Sequence, residues 1–239
     1  MEEALSSALR TMNMGSYMVL APSPSAVSTM TVTAQLNVSS VCRDKLLVAV
    51  GWMEGEGPLT AERKPSRPTS RPPKPSRPDF NNQTTVRYGS KCIKMFRNGS
   101  VHVTGCKTLV DFVQAVSAVC DAMTQAGIEP GGVHVTSFNT QMINVTFNAN
   151  ATLGLRELRD LCLVRGWGAM YDADVYPGLN VKIPMGQDKT VTALIFRSGS
   201  VILTGAKTAA HTLEAHSKLT HLLDEMVVAA QARAPAPGN

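Results

Sequence analysis

The sequence predicts an α+β fold built from two tandem copies of one unit, each an antiparallel sheet with helices on one face only. Three observations carry this. Residues 94–108, KMFRNGSVHVTGCKT, align without gaps on 194–208, LIFRSGSVILTGAKT, with nine of fifteen positions identical. Upstream, the block 33–38 aligns on 140–145, and a Gly-Trp pair follows in each copy, at Gly51-Trp52 and Gly166-Trp167. Stretches of polar–apolar alternation and of helical periodicity recur in the same order in both. The copies run over about residues 30–127 and 128–232, after a tail of residues 1–29 and before another of 233–239.

Each element follows from its pattern. In 31–38, Thr31, Thr33, Gln35 and Asn37 interleave with Val32, Ala34, Leu36 and Val38, which predicts a strand buried on one face. A helix follows, clearest in the second copy, where Leu153, Leu158, Leu161 and Cys162 stripe a polar run. Strands and a hairpin come next. Asn98-Gly99 signals a two-residue turn, and Ser198-Gly199 a weaker one. A long helix closes each copy. Thr108 caps the first with Asp111 three residues on, positions 109, 112, 113, 116, 119, 120 and 123 form its apolar stripe, and Gly127 ends it.

Composition narrows the function. The 239-residue chain is 44% hydrophobic with a net charge of +5, but residues 63–78 alone hold six Lys and Arg and no acid. The remainder therefore sums to −1, so a strongly basic folded surface is excluded. Six of the fourteen prolines share that segment, within an insertion at 58–79. No apolar run spans a membrane and the acidic start, Met1-Glu2-Glu3, is unlike a secretory signal. Five cysteines (42, 92, 106, 120 and 162) without a C-x-x-C pair predict neither disulfides nor zinc, and a reducing compartment. The N-x-S/T triplets at Asn37, Asn82, Asn98, Asn144 and Asn150 read as polar strand and turn residues. His211, His216 and His221 recur every five residues on one helix and do not converge on a metal. No carboxylate cluster or nucleophile–base pair points to an enzyme.

A sheet with helices on one side leaves its other face bare. If Val101 and Leu203 face the helices, alternation puts Leu194, Phe196, Ile202 and Thr204 on the bare face of one copy. Lys94, Phe96, His102 and Thr104 fall there in the other. Apolar side chains on such a face call for a covering partner.

Leu194-Ile-Phe196-Arg-Ser-Gly199-Ser-Val-Ile-Leu-Thr204-Gly205-Ala206-Lys207 resembles the LIF-x-SGK-x-V-x-TGAK signature of the TATA-binding protein family. Tyr171-Asp-Ala-Asp-Val-Tyr176-Pro177-Gly178-Leu179 is similar to that family's YEPELFPGL stretch. The resemblance covers both copies and is most specific in the second. It implies a saddle-shaped, ten-stranded antiparallel sheet with helices on the convex face. It also implies a concave face that enters the minor groove of AT-rich promoter DNA, where aromatic wedges kink the duplex. Carried over position by position, the wedge pairs are Tyr176 with Phe196 and Phe80 with Phe96. Leu194, Ile202, Thr204, Thr104, Thr33 and Thr140 fall on groove-contact positions. Arg97 and Arg197 begin the hairpin turns, where a phosphate contact and an ordinary solvated turn fit equally. Asp172 and Asp174, with Val175, match the positions that hold transcription factor B. The family's partners further include a transcription factor A-like protein and RNA polymerase. The expected place of work is the nucleus, or a viral replication compartment if a virus encodes the chain; no cofactor or metal is implied.

Departures are as informative. The family begins each copy with a groove-contacting asparagine, where this alignment places Thr31 and Phe138, with Asn139 one position away. Lys94 and His102 replace apolar groove residues, and Tyr176 replaces a phenylalanine. A relative with altered DNA specificity, acting mainly as a docking scaffold in transcription, is the alternative.

Overall fold

The computed structural model describes residues 23, 25–40, 45, 48, 59–61, 83–187 and 189–233. Phe80, the basic segment 63–78, the Gly51-Trp52 pair and most of both tails lie outside them. The chain divides into two compact units: residues 31–140, and residues up to 30 together with those from 141.

In the first unit the strands run in the order β2 (Leu59–Ala61), β3 (Gln83–Tyr88), β4 (Lys91–Phe96), β5 (Ser100–Cys106), then β1 (Ala26–Leu36) from residue 31, then residues 135–140 of β6 (Val135–Asn148). β2, β3, β4 and β5 pair antiparallel in sequence. Helix α1 (Leu109–Gln125) packs on β4 and β5. Thr108 and Asp111 form a capping box: Asp111 N–H donates to Thr108 Oγ1, and Thr108 N–H to the Asp111 carboxylate. At the far end Gly127 takes a φ of +64°. Its N–H reaches the Thr124 carbonyl while Ile128 N–H reaches Met123, a Schellman closure. The helix buries Phe112, Ala115, Val116, Val119, Cys120 and Met123. Val113, counted in the stripe from sequence, is instead 55% exposed, because it lies at the edge of the apolar arc while Ala115 takes the inner position.

In the second unit the order is β6 from residue 141, β10 (Ser200–Ala206), β9 (Thr190–Phe196), β8 (Gly178–Pro184) and β7 (Gly168–Met170), with residues 26–30 of β1 beside β6. Helix α2 (Leu155–Val164) packs on β7 and β8, and α3 (Ala209–Arg233) on β8, β9 and β10. Thr208 stands where Thr108 does and accepts from His211 N–H at 3.2 Å. The strands send Leu179, Val181, Ile183, Val191, Ala193, Ile195, Val201 and Leu203 into the core beneath Leu219, Leu222 and Leu223. Leu158 and Cys162 of the predicted α2 stripe are buried; Leu153 precedes the helix, its N–H bonded to the Arg197 carbonyl.

The hairpin turns differ from the two-residue form expected. Three residues, Arg97 to Gly99, connect β4 to β5, closed by Gly99 N–H to the Phe96 carbonyl at 3.0 Å. Gly99 alone takes a positive φ, +77°, and Gly199 repeats this at +84°. Such three-residue loops put one residue in the left-handed region instead of two. A Cβ on Gly99 would also lie 2.5 Å from the Val38 carbonyl oxygen, so the chain passes too close for any other residue.

The hydrogen bonds also correct the match between the copies. Leu36 N–H donates to the Gly99 carbonyl, and Ala149 N–H to that of Gly199. Thr33 therefore corresponds to Thr146, not Thr140, and Thr31 to Asn144, not Phe138. The physical reason is that a strand of period two resembles itself after any even shift, since the same face stays buried.

Candidate nucleic-acid interface

Burial along the strands separates two faces in each unit. In the second, Val191, Ala193, Ile195, Val201 and Leu203 are at most 2% exposed, while Thr192, Leu194, Phe196, Ile202 and Thr204 between them are half-buried. The latter set faces away from the helices. Cross-strand register lines up Asn180, Leu194, Ile202 and Thr146 in one row, and Lys182, Thr192 and Thr204 in the next. Lys182 Nζ donates to Thr192 Oγ1 at 2.7 Å, and Thr204 Oγ1 lies 3.3 Å from Met142 Sδ. This face is thus apolar at its middle with hydroxyls along one side.

At one end of it Tyr176 and Phe196 meet edge to face, their ring centroids 6.0 Å apart. Gly178, paired with Phe196 across β8 and β9, makes room for them. A Cβ there would sit 2.8 Å from the Tyr176 ring and 3.0 Å from that of Phe196. Tyr176 is 44% exposed, and the aromatic pair is held ready without being buried.

The first unit has the same layout with other chemistry. Ile93, Met95, Val101 and Val103 are buried toward α1, while Cys92, Phe96, His102 and Thr104 are half-buried and Lys94 exposed on the opposite face. Thr85, Lys94 and His102 form one row, and Arg87, Cys92 and Thr104 the next. Phe96 has His102 as its ring partner, centroids 4.8 Å apart. Opposite Phe96 stands Gln83, where the second unit has Gly178. Tyr176 lies two residues before Gly178, and Phe80 three before Gln83; Phe80 itself is outside the described residues.

The remaining sequence candidates are scattered. Thr33 is half-buried and donates to the Asn139 carbonyl at 3.3 Å; Thr140 is half-buried in β6. Phe138 leans its ring on Phe112 of α1, centroids 5.7 Å apart, and so belongs with the helix layer. Arg97 and Arg197 are exposed in their turns. Asp172, Asp174 and Val175 are exposed on the loop between β7 and β8. That loop is shaped by its own backbone: Tyr176 N–H bonds to the Asp172 carbonyl and Asp174 N–H to the Asp172 carboxylate. Arg156 and Arg159 of α2 line a hollow with Tyr171, Asp172 and Asp174.

Gly178, Lys182, Arg87 and Asn144 were missed by the sequence reading. Alternation along β3 and β8 could have found Arg87 and Lys182, whereas the room Gly178 leaves shows only once it is paired with Phe196. Asn144, on the face of Thr146, donates to Thr29 Oγ1 at 2.9 Å. Only the pairing of distant strands shows this.

Several titratable groups belong to the framework. His216 is 1% exposed, its Nε2 lies 2.7 Å from Ser25 Oγ, and burial lowers its pKa to about 4. Burial raises the thiols of Cys120 and Cys162 to about 11, which leaves them unreactive. Burial opposes ionisation of Asp111, but Lys91 at 2.7 Å and the N–H groups of Lys107 and Thr108 override it and hold the carboxyl at about 2.

A family model described as transcription factor TFIID (or TATA-binding protein, TBP) matches residues 137–226. A TATA-box-binding protein of Pyrodictium occultum is 28% identical over 132 residues, 55% of this chain and 62% of that protein. One from Methanococcus maripaludis is 26% identical over 132 residues, 67% of its length. A TATA-box-binding protein-like protein of Acanthamoeba polyphaga mimivirus is 23% identical over 175 residues, 47% of its length. The chain thus spans from about half to two thirds of these relatives. The solved structure of Methanococcus jannaschii TBP superposes with a TM-score of 0.60 at 18% identity, over 84% of this chain and 98% of that one. The fold is shared.

Proposed function

We propose that the chain is a divergent member of the TATA-binding protein family and acts as a transcription initiation factor that binds promoter DNA in the minor groove and kinks it. The observation that carries this is the half-buried apolar pair Leu194 and Ile202, on a face without helices, with Tyr176 and Phe196 at its end. An A·T-rich minor groove presents acceptors alone and no guanine amino donor that an apolar surface would leave unpaired, which suits such a surface. Unstacking one base step costs a few kcal/mol, and burying an aromatic ring against the opened step offsets it. Phe196 and Tyr176 are the wedges of the second unit, and Phe96 with Phe80 those of the first. Thr204, Thr104, Thr33 and, in the corrected match, Thr146 in place of Thr140 contact the groove, and Arg97 and Arg197 the phosphates beside it.

Asp172, Asp174 and Val175 present an exposed acidic loop that suits a basic transcription factor B-type protein, through which RNA polymerase is recruited. A transcription factor A-like protein is a second partner in this reading, and the nucleus or a viral replication compartment its setting. The polar Lys94–His102 row makes the first unit the weaker wedge, with a TATA preference altered from the family's.

Gel-shift and bending measurements on a randomised duplex pool test this, with Phe196→Ala and Phe96→Ala as controls. Expected is a bent complex that both substitutions weaken, Phe196→Ala more. If the unmutated protein retains no duplex, the DNA reading fails and a protein-docking scaffold takes its place.

A further inference from the structure

One matched row of side chains differs between the units in the chemistry it offers. Cross-strand pairing aligns Asn180, Leu194 and Ile202 in the second unit, and Thr85, Lys94 and His102 in the first. Positions 94 and 194, and 102 and 202, are the same points of the repeated hairpin. An ammonium and an imidazole therefore stand where the other copy has two aliphatic side chains. His102 is half-buried against the Phe96 ring, and both line an open cavity of about 700 Å³ with Arg97, Asn98, Ser39 and Ser40.

In the minor groove an A·T pair presents acceptors alone, whereas a G·C pair adds one donor, the guanine 2-amino group. Leu194 and Ile202 give that amino group no acceptor, so covering it with them leaves a buried donor unpaired. A neutral imidazole carries one nitrogen that accepts and one that donates, and an ammonium donates only. The first-unit row thus supplies an acceptor for the guanine amino group and a donor for the cytosine O2 beside it.

Resting on the reading that the chain binds duplex DNA through its minor groove, we propose that His102 and Lys94 make the first unit a reader of a G·C pair. His102 accepts from the guanine 2-amino group and Lys94 donates to cytosine O2. The preferred site is then asymmetric: A·T-rich under the second unit, with a guanine at a fixed position under the first.

The test uses the full chain to select duplexes from a randomised pool. Binding to the selected duplex is then measured with that guanine replaced by inosine, which removes the 2-amino group together with its one Watson–Crick hydrogen bond and leaves the rest of the pair. Inosine is expected to weaken binding about fivefold, the worth of one hydrogen bond. The difference should vanish in His102→Ile, and Ile202→His should admit guanine at the matching position of the other half-site. Selected sites with A·T throughout, or equal binding of guanine and inosine duplexes, would overturn the proposal while leaving the groove-binding reading intact. Failure to retain any duplex would overturn both.

Discussion

Single residues at the candidate interface act through space that a neighbour leaves open. Gly178 is the clearest case, since a methyl group there would press on both the Tyr176 and Phe196 rings. Gly178→Ala is expected to splay the rings and reduce DNA bending, measured by fluorescence transfer between duplex ends, with little change in thermal stability because neither ring lies in the core. Phe196→Ala removes the ring proposed as the wedge and should lower duplex affinity by roughly 1.5–3 kcal/mol, read from gel-shift titration. His216 acts instead on stability. Its folded pKa of about 4 lies below the ordinary 6.5, so the unfolded chain takes up the proton first. Stability is therefore full above about pH 6.5, declines as pH falls toward 4, and levels off below. The loss should reach ~3 kcal/mol in urea unfolding, and His216→Phe should flatten that slope.

At the scale of elements, the two long helices are started alike and secured differently. Thr108 and Thr208 both cap, but Asp111 completes the box of α1 while His211 occupies the matching place in α3. Asp111 also pairs with Lys91 of β4, fastening the start of the helix to the sheet. Asp111→Ala is expected to destabilise the fold by about 1 kcal/mol, read from chemical denaturation. The carboxyl's depressed pKa makes its contribution present above about pH 3.8 and lost as pH falls through 2, a window below that of His216. Cap and stop were legible because Thr108, Asp111 and Gly127 act on their own helix. The strand match was not, because alternation carries no mark that separates one even shift from another.

For the whole molecule, the +5 charge is an average over unlike parts. Residues 63–78 carry +6 and the rest −1, so the proposed DNA binding would rest on shape and wedging more than on phosphate neutralisation by the body of the chain. Deleting 63–78 is expected to lower affinity and to reduce the slope of log affinity against log salt by several units, if those cations lie on phosphates beside the wedge. An unchanged slope across a salt titration would put the segment elsewhere. The two copies also diverged in chemistry while keeping one layout, as the rows through Leu194 and Lys94 show.

The sequence by itself determined the repeat, the α+β class, the buried and bare sides of each hairpin and the helix caps. All of these are written in neighbouring residues, through the periods of strand and helix and through local hydrogen bonds. Tertiary structure alone decided which strands align, that Phe138 turns to Phe112, that Gly178 shelters two rings, and that His216 is a core residue tied to Ser25. Each of these depends on residues far apart in the chain meeting at a few ångströms, and no pattern of neighbours encodes that distance.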